Sequence, residues 1–448
     1  MDDLLISVSG VRGLYGRGLT VEVAERYARA FAGHASGEGP IVIGRDSRPS
    51  GPPLLEAVAE GVARAGGSCV DLGVVPTPTV GFMVPRLGGS GGIVITASHN
   101  PEPWNALKLL DREGEFLGPE DGVEVRRSFE RTPPPEGPAP ASRVRRDRTA
   151  VRRHVEAIAG LRHIDPGAVR DRRLRFVLDG VNGGACEAGL FLLETLGVEK
   201  IPVHCHPSLP FPHDPEPRPE NLGDLSRAVR ETGSDGGLAL DPDGDRLALV
   251  DGGGRALSEE LTLALAAGFW LEREPGPVVV NASTSLVTEW VASRFGVALH
   301  RTPVGEAHVV REMKRVGAAI GGEGNGGVIL PALRLGRDGL VASALILQAL
   351  AAGGGTLEGL ASSLPPTFIV KRKGTRAQEP DPTDLERWLG EVCPGEIDRT
   401  DGVRISARDR WVHVRRSNTE GVLRVIAEAP TREEARRLAD AVLGRLES

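Results

Sequence analysis

Short runs of β-branched and other apolar residues, each breaking abruptly into a polar, glycine-bearing loop, recur along this chain and limit what it can fold into. Residues 40–44 (PIVIG) run into RDSRPSG, 92–96 (GIVIT) into ASHNP, GGLALD into DPDGDR, and GPVVVN into ASTS. Runs this short that are apolar at nearly every position read as strands buried on both faces, as in parallel sheets covered by helices. Helical stretches alternate with them over 52–65, 186–196, 286–295 and 340–352, which is the grammar of α/β layers. Three such cycles are visible. From 367 onward the pattern changes to a strand (TFIVKRK), a helix near 383–392, strands over 402–406, 411–414 and 423–429, and a helix over 432–447. The chain is therefore expected to form three similar α/β units, over 1–148, 149–253 and 254–366, and a smaller α+β unit over 367–448. What repeats is the order of strand then polar loop, not the letters. The proline-rich stretch 131–141 cannot hold regular structure and reads as a loop near the first boundary.

Composition narrows the function classes. A length of 448 residues suits three or four domains, and 40% hydrophobic content is too high for disorder. The longest apolar runs, 261–271 and 340–352, fall short of the roughly 20 residues of a membrane span. A net charge of −7 argues against a general nucleic-acid binder. Cys69, Cys186, Cys205 and Cys393 lack framework spacing, and the start MDDLLISVSG is acidic where a signal peptide is basic. A cytoplasmic protein with no membrane or nucleic-acid partner is expected. The basic residues are almost all arginine; the five lysines are Lys108, Lys200, Lys314, Lys371 and Lys373, so a lysine inside a polar motif runs against the trend.

Four loops carry chemistry. Ser98, in Ala97-Ser98-His99-Asn100-Pro101, lies beyond the carboxyl end of a strand, where ligands of open α/β sheets bind. With His99 beside it and Lys108 ten residues on, it is a candidate nucleophile or phosphoryl carrier, against an ordinary polar turn. The GxSxG elbow of serine hydrolases is absent here. In Asp241-Pro242-Asp243-Gly244-Asp245-Arg246, alternate positions place three carboxylates to converge on one hard cation. An EF-hand is excluded, because its sixth and twelfth positions would be Arg246 and Gly252. The loop 321–327 (GGEGNGG) formally contains GxGxxG, but no suitable helix follows, so a dinucleotide site is rejected. Its glycines allow close approach, and Glu323 and Asn325 can bind hydroxyls; an unspecific glycine turn is the competing reading. Arg415, Ser417, Asn418 and Thr419, with Arg424, form a set suited to a phosphate dianion, although a solvated charged turn has the same letters. His204-Cys205-His206 looks metal-like but offers too few converging ligands, and reads as structural.

Taken together and in this order, the loops resemble the α-D-phosphohexomutase family of phosphoglucomutases, phosphomannomutases and phosphoglucosamine mutases. Ser9-Gly10-Val11-Arg12-Gly13, 43–48 (IGRDSR), Asp71-Leu72-Gly73, Pro76-Thr77-Pro78 and Asn105 with Lys108 extend the likeness to essentially the whole chain. The GGEGNGG form is most like the archaeal-type branch. The resemblance implies four domains around a central cleft, three α/β with mixed sheets and a smaller C-terminal α+β domain. It implies an intramolecular phosphotransferase that moves phosphate between C1 and C6 of a hexose or hexosamine through a phosphorylated Ser98 and a 1,6-bisphosphosugar, which also serves as activator. Mg²⁺ would be held by the Ser98 phosphate, Asp241, Asp243 and Asp245. Glu323 and Asn325 would read the sugar, Arg415, Ser417, Asn418, Thr419 and Arg424 would hold the second phosphate, and the assembly would be a monomer or homodimer. Many members have serine at the position of Asn325, histidine at that of Gly327 and proline at that of Gly421. Since that histidine is a candidate acid/base, proton transfer is expected to fall to His99 or Lys108, with Arg12 and Arg246 supplying positive charge. A non-catalytic phosphosugar-binding protein on the same scaffold is the alternative, and a phosphatase is chemically close.

Overall fold

A computed structural model describes residues 4–7, 10–35, 37–138, 140–374, 381–416 and 422–447. The first unit is a seven-stranded sheet of β1 (Leu4–Ser7), β2 (Gly10–Leu14), β3 (Ile41–Arg45), β4 (Cys69–Val74), β5 (Gly91–Ile95), β6 (Trp104–Leu110) and β7 (Val144–Arg146), in the order β1-β2-β6-β5-β3-β4-β7. β4, β5 and β3 run parallel, while β6 turns back antiparallel on β5. The apolar run of β3 is buried because helices cover both faces. Helices Val21–His34 and Gly51–Arg64 pack Tyr27, Phe31, Leu54 and Val58 against Ile43 and Ile95, and helix Thr77–Arg86 covers the other side.

The next two units repeat that core. β8 (Arg175–Asp179), β9 (Glu199–Val203), β10 (Gly236–Leu240) and β11 (Leu247–Asp251) lie in the order β11-β10-β8-β9. β12 (Val278–Asn281), β13 (Leu299–Thr302), β14 (Ile320–Glu323) and β15 (Gly327–Ile329) lie in the order β13-β12-β14-β15. In each, the first strand is central, the second and third flank it in parallel, and the fourth returns antiparallel beside the third. Strands β3 to β6 obey the same rule. The turn from third to fourth strand is thus the same place in all three units: it carries Ser98 in the first, Asp241–Asp245 in the second and Gly324–Gly326 in the third.

Helices Glu260–Leu271 and Gly339–Gly353 are apolar all round and buried in one core that also takes in the helices Thr77–Arg86, Ala150–Ala159 and Cys186–Leu196. A buried polar chain pins the three units: Thr79 Oγ1 lies 2.9 Å from His154 Nδ1, and His154 Nε2 lies 2.9 Å from Asp338 Oδ2. Asp338 Oδ1 in turn caps the helix Gly339–Gly353 by accepting from Leu340 N and Val341 N. Among the described residues no helix is long and apolar enough to cross a membrane.

The last unit has its own core and an all-antiparallel sheet of β16 (Phe368–Gly374), β17 (Glu396–Asp398), β18 (Val403–Ser406), β19 (Trp411–Arg416) and β20 (Leu423–Ala429), in the order β16-β20-β19-β18-β17. Two helices, Pro382–Val392 and Arg432–Glu447, cover it.

Candidate active site

Ser98 sits just past the end of β5, buried, with φ of 51°, a left-handed conformation that side chains other than glycine rarely adopt. Its surroundings impose it. The Ser98 backbone N–H donates to Thr96 Oγ1 (2.9 Å), and Thr96 Oγ1 donates to Asp46 Oδ2 (2.6 Å). Arg48, fully buried, donates to Asp46 Oδ2 (2.9 Å) and to the carbonyls of Ser98 (2.6 Å), Asn100 (2.7 Å) and Pro101 (2.8 Å). Arg12 holds the same loop from the other side, donating to Asn100 Oδ1 at 2.8 Å. Ser98 Oγ donates to Asp241 Oδ2 at 2.7 Å, and His99 Nδ1 lies 3.4 Å from Ser98 Oγ. Burial, and then Arg246 and Arg12, hold the His99 imidazole well below its ordinary pKa, so it is neutral near pH 7.

Asp241, Asp243 and Asp245 are all buried, and one oxygen from each lies within 4.8 Å of the others. Burial, followed by Asp245 and Asp243, pushes the Asp241 carboxyl well above the carboxylate range. Burial would also raise Asp243, but Lys108 and Thr77 outweigh it: Lys108 Nζ (2.6 Å) and Thr77 Oγ1 (2.6 Å) both donate to Asp243 Oδ2 and hold that carboxyl well below its usual range. Asp243 Oδ1 and Asp245 Oδ1 are buried with no hydrogen-bond donor among the described residues. Converging hard oxygens, two of them unpartnered in a buried site, fit a divalent cation of the Mg²⁺ type. Arg246 flanks the cluster, with Nε 3.6 Å from Asp245 Oδ1.

Glu323 ends β14, and its carboxylate is already surrounded. Oε1 accepts from Asn281 Nδ2 (2.8 Å) and Gly305 N (3.2 Å), and Oε2 lies 2.9 Å from Arg337 Nη1. Asn325 is half-buried, with Nδ2 3.5 Å from Glu323 Oε2. Gly326 has φ of 89° and packs so closely on β11 that a Cβ there would lie 2.4 Å from the Leu247 carbonyl, so the third-unit turn presses directly on the strand behind the carboxylate cluster. In the last unit Arg415 pairs with Arg424 across β19 and β20, and its Nε donates to Asp401 Oδ2 at 2.7 Å. Asp401 Oδ2 also accepts from Val304 N (3.0 Å), which ties this strand to the loop 302–306 of the third unit. Ser417, Asn418 and Thr419, like Ser9, Glu420 and Gly421, lie outside the described residues.

Ser98, His99, Lys108, Asp241, Asp243, Asp245 and Arg246 therefore come together, with Arg12 one hydrogen bond away. Two further buried arginines hold these loops: Arg48, the last residue of the 43–48 motif, lies behind the serine loop, and Arg337, which no sequence motif singled out, lies between the carboxylate loops. His204 and His206 do not form a ligand pair. Instead His204 Nε2 contacts Asp224 Oδ2 (3.1 Å) and His213 Nε2 contacts Asp179 Oδ2 (3.2 Å).

This architecture and these loops have close counterparts among known proteins. Four family models match in order: phosphoglucomutase/phosphomannomutase alpha/beta/alpha domains I (residues 4–135), II (152–254) and III (259–368), and the C-terminal domain (370–445). A Methanopyrus kandleri protein named "Probable phosphoglucosamine mutase" is 37% identical over 437 residues, covering 96% of this chain and 95% of that protein. A Thermococcus kodakarensis protein named "Phosphoglucomutase/phosphomannomutase" is 34% identical, with 96% of each chain covered. The crystal structure of a phosphoglucomutase/phosphomannomutase family protein from Burkholderia thailandensis superposes with a TM-score of 0.83 at 27% identity, over 99% of this chain and 98% of that one. With every unit matched in order and the serine, carboxylate and glycine-rich loops brought together, the chain belongs to the phosphoglucomutase/phosphomannomutase family.

Proposed function

We propose that this chain is a phosphohexomutase that interconverts the 1- and 6-phosphates of a hexose or hexosamine, with Ser98 as phosphoryl carrier. The observation that carries the proposal is Ser98 Oγ lying 2.7 Å from Asp241 inside a buried carboxylate cluster served by Lys108. The names of the relatives, phosphoglucosamine mutase and phosphoglucomutase/phosphomannomutase, support the same class.

Asp241, Asp243, Asp245 and the Ser98 phosphate would hold Mg²⁺. When bound, the ion offsets the phosphate charge and polarises the phosphorus. The chain's own groups do the rest. Phosphoryl transfer forms a bond from phosphorus to a sugar hydroxyl oxygen as the bond to Ser98 Oγ breaks, giving the bisphosphosugar; in the return step the other phosphate passes back to Ser98 Oγ. The hydroxyl proton has to leave in the first step and be returned in the second. His99, neutral and 3.4 Å from Ser98 Oγ, is placed to hold it. Lys108, bonded to Asp243, keeps the cluster charge-balanced next to the reacting oxygen. Arg12 and Arg246 supply positive charge. Arg415 and Arg424, with Ser417, Asn418 and Thr419, are proposed to cradle the non-reacting phosphate in both orientations of the sugar. Half-buried Asn325 is the more accessible of the two proposed sugar readers, and Glu323 would share acceptor capacity that Asn281 and Gly305 already use.

The proposed unit boundaries at 148, 253 and 366 fall in the connections after β7, after β11 and before β16. A cytoplasmic setting belongs to the same proposal, supported by four cysteines that are all free thiols. The test is a side-by-side kinetic comparison of glucose, mannose and glucosamine 1-phosphates with the matching 1,6-bisphosphate as activator. Conversion of at least one to its 6-phosphate, stimulated by the bisphosphate, is expected. Release of inorganic phosphate in place of the isomer would mean a phosphatase.

A further inference from the structure

Arg337 engages three carboxylates beside the cleft, and the reaction as described does not use it. It lies 9% exposed between three loops. Nη2 donates to Asp245 Oδ2 at 2.7 Å, Nε donates to Glu306 Oε2 at 2.8 Å, Nη1 is 2.9 Å from Glu323 Oε2, and Nη1 is 3.5 Å from Asn325 Oδ1. The backbone N–H of Arg337 also donates to Glu306 Oε1 at 3.1 Å. One guanidinium thus neutralises carboxylates from the carboxylate-cluster turn, the 302–306 loop and the sugar turn. A planar, five-donor fork can do this; a single ammonium cannot.

A second observation explains a departure in the sequence. Gly327 opens β15 next to the Arg337 stem, and a Cβ built there would lie 2.3 Å from Arg337 Cδ and 3.0 Å from Cγ. That stem cannot swing aside cheaply, because its head is fixed on three buried carboxylates. The volume that a side chain at 327 would need is already occupied by Arg337.

We propose that Arg337 is the positioning residue that couples the carboxylate-cluster turn to the sugar turn, and that position 327 is glycine because Arg337 fills its place. The inference rests on the phosphohexomutase reading for its kinetic consequences, but its packing half does not. Through Asp245 the arginine sets the geometry beside Ser98, which governs kcat. Through Glu323 and Asn325 it sets the acceptors that meet the sugar, which govern KM and the choice among sugars. A residue acting only as scaffold would leave the sugar ratio alone.

The experiment is a double-mutant cycle on Gly327→Ala and Arg337→Ala, read by thermal midpoint and by kcat and KM for the three sugar 1-phosphates. Gly327→Ala is expected to lower the midpoint and to reduce kcat/KM by about tenfold or more in the native background. With Arg337→Ala already present it should cost less than about threefold. Equal costs in the two backgrounds would overturn the packing claim, and the midpoint arm reads this whatever the activity is. Should Arg337→Ala not fold, Arg337→Lys keeps the charge and carries the second arm. It should lower kcat and shift the ratio of kcat/KM values among glucose, mannose and glucosamine 1-phosphates by at least about threefold. An unchanged ratio would overturn the coupling claim, whereas absence of isomerisation by the native chain would overturn the phosphohexomutase reading instead.

Discussion

At the scale of the residue, the proposed phosphoryl carrier Ser98 is held by a side chain far from it in sequence. Arg48 holds the carbonyls of Ser98, Asn100 and Pro101 while anchored on Asp46, and Ser98 sustains a left-handed φ of 51° between them. That conformation costs on the order of 1–3 kcal/mol and persists only where the surroundings over-determine it. Arg48→Lys cannot span the same four acceptors. It should destabilise the chain by about 2–4 kcal/mol, because the ammonium leaves some of the buried acceptors without a donor. It should also lower kcat by roughly 10- to 100-fold with KM within about threefold, since the serine and not the sugar is displaced. Equilibrium denaturation with steady-state kinetics checks both. The contrast with Ser98, Asp241, Asp243 and Asp245 explains what the sequence could disclose. The three aspartates alternate within one loop and Ser98 adjoins His99 in another, so within each loop chemistry and spacing announce them together. Arg48 reaches carbonyls 50 to 53 residues on, and Arg337 reaches Glu323, Glu306 and Asp245 on three other segments, so spacing within one loop does not name these partners.

At the scale of the element, the strand-then-loop grammar was legible where the strand is buried on both faces, as in β3, β5, β10 and β12. The returning strands were harder to see. β6 and β11 follow their turns directly and take their strand character from antiparallel pairing with the strand before, whereas the start of β15 already reads as strand in the run after Gly327. Helix Thr77–Arg86 was hidden by its prolines, yet Pro78 sits in the first turn, where no intrahelical donor is required, and Pro85 is next to last. β17 is short, polar and largely exposed, so no apolar run betrays it. On β19, His413 is fully buried, with Nδ1 3.1 Å from Ser283 Oγ and Nε2 2.5 Å from the Asp401 carbonyl. Burial, then the charges of Arg404 and Arg415, lower its pKa from 6.5 to about 4, although Asp401 pulls the other way. The unfolded chain therefore binds more protons between these values, and stability rises with pH across that window. From pH 6.5 down to pH 4 His413 should cost about 3 kcal/mol, and His413→Gln should remove that part of the pH dependence in urea titrations.

At the scale of the molecule, three units share one core and the fourth keeps its own, so the fourth is joined to the third through polar contacts. The sequence marked that division by a change of grammar at 367. It could not show the buried latch that closes it. Glu428 on β20 accepts from Ser285 Oγ (2.8 Å) and Leu286 N (3.1 Å) at the start of a third-unit helix, and also from Thr367 Oγ1 and Trp411 Nε1. Thr367 directly follows Pro365-Pro366, at the boundary between the third and fourth units. Glu428→Gln should weaken the latch by about 2 kcal/mol, speed proteolysis near 366 and raise KM for the 1- and 6-phosphates alike. The central claim, that the phosphoryl group travels through Ser98, is tested most directly by mapping it. Protein incubated with a hexose 1,6-bisphosphate and digested should carry one phosphoryl group on the peptide containing Ser98. Ser98→Ala should carry none and should lose turnover while still binding sugar phosphate. A phosphoryl group mapped to another residue, or undiminished turnover by Ser98→Ala, would contradict the account.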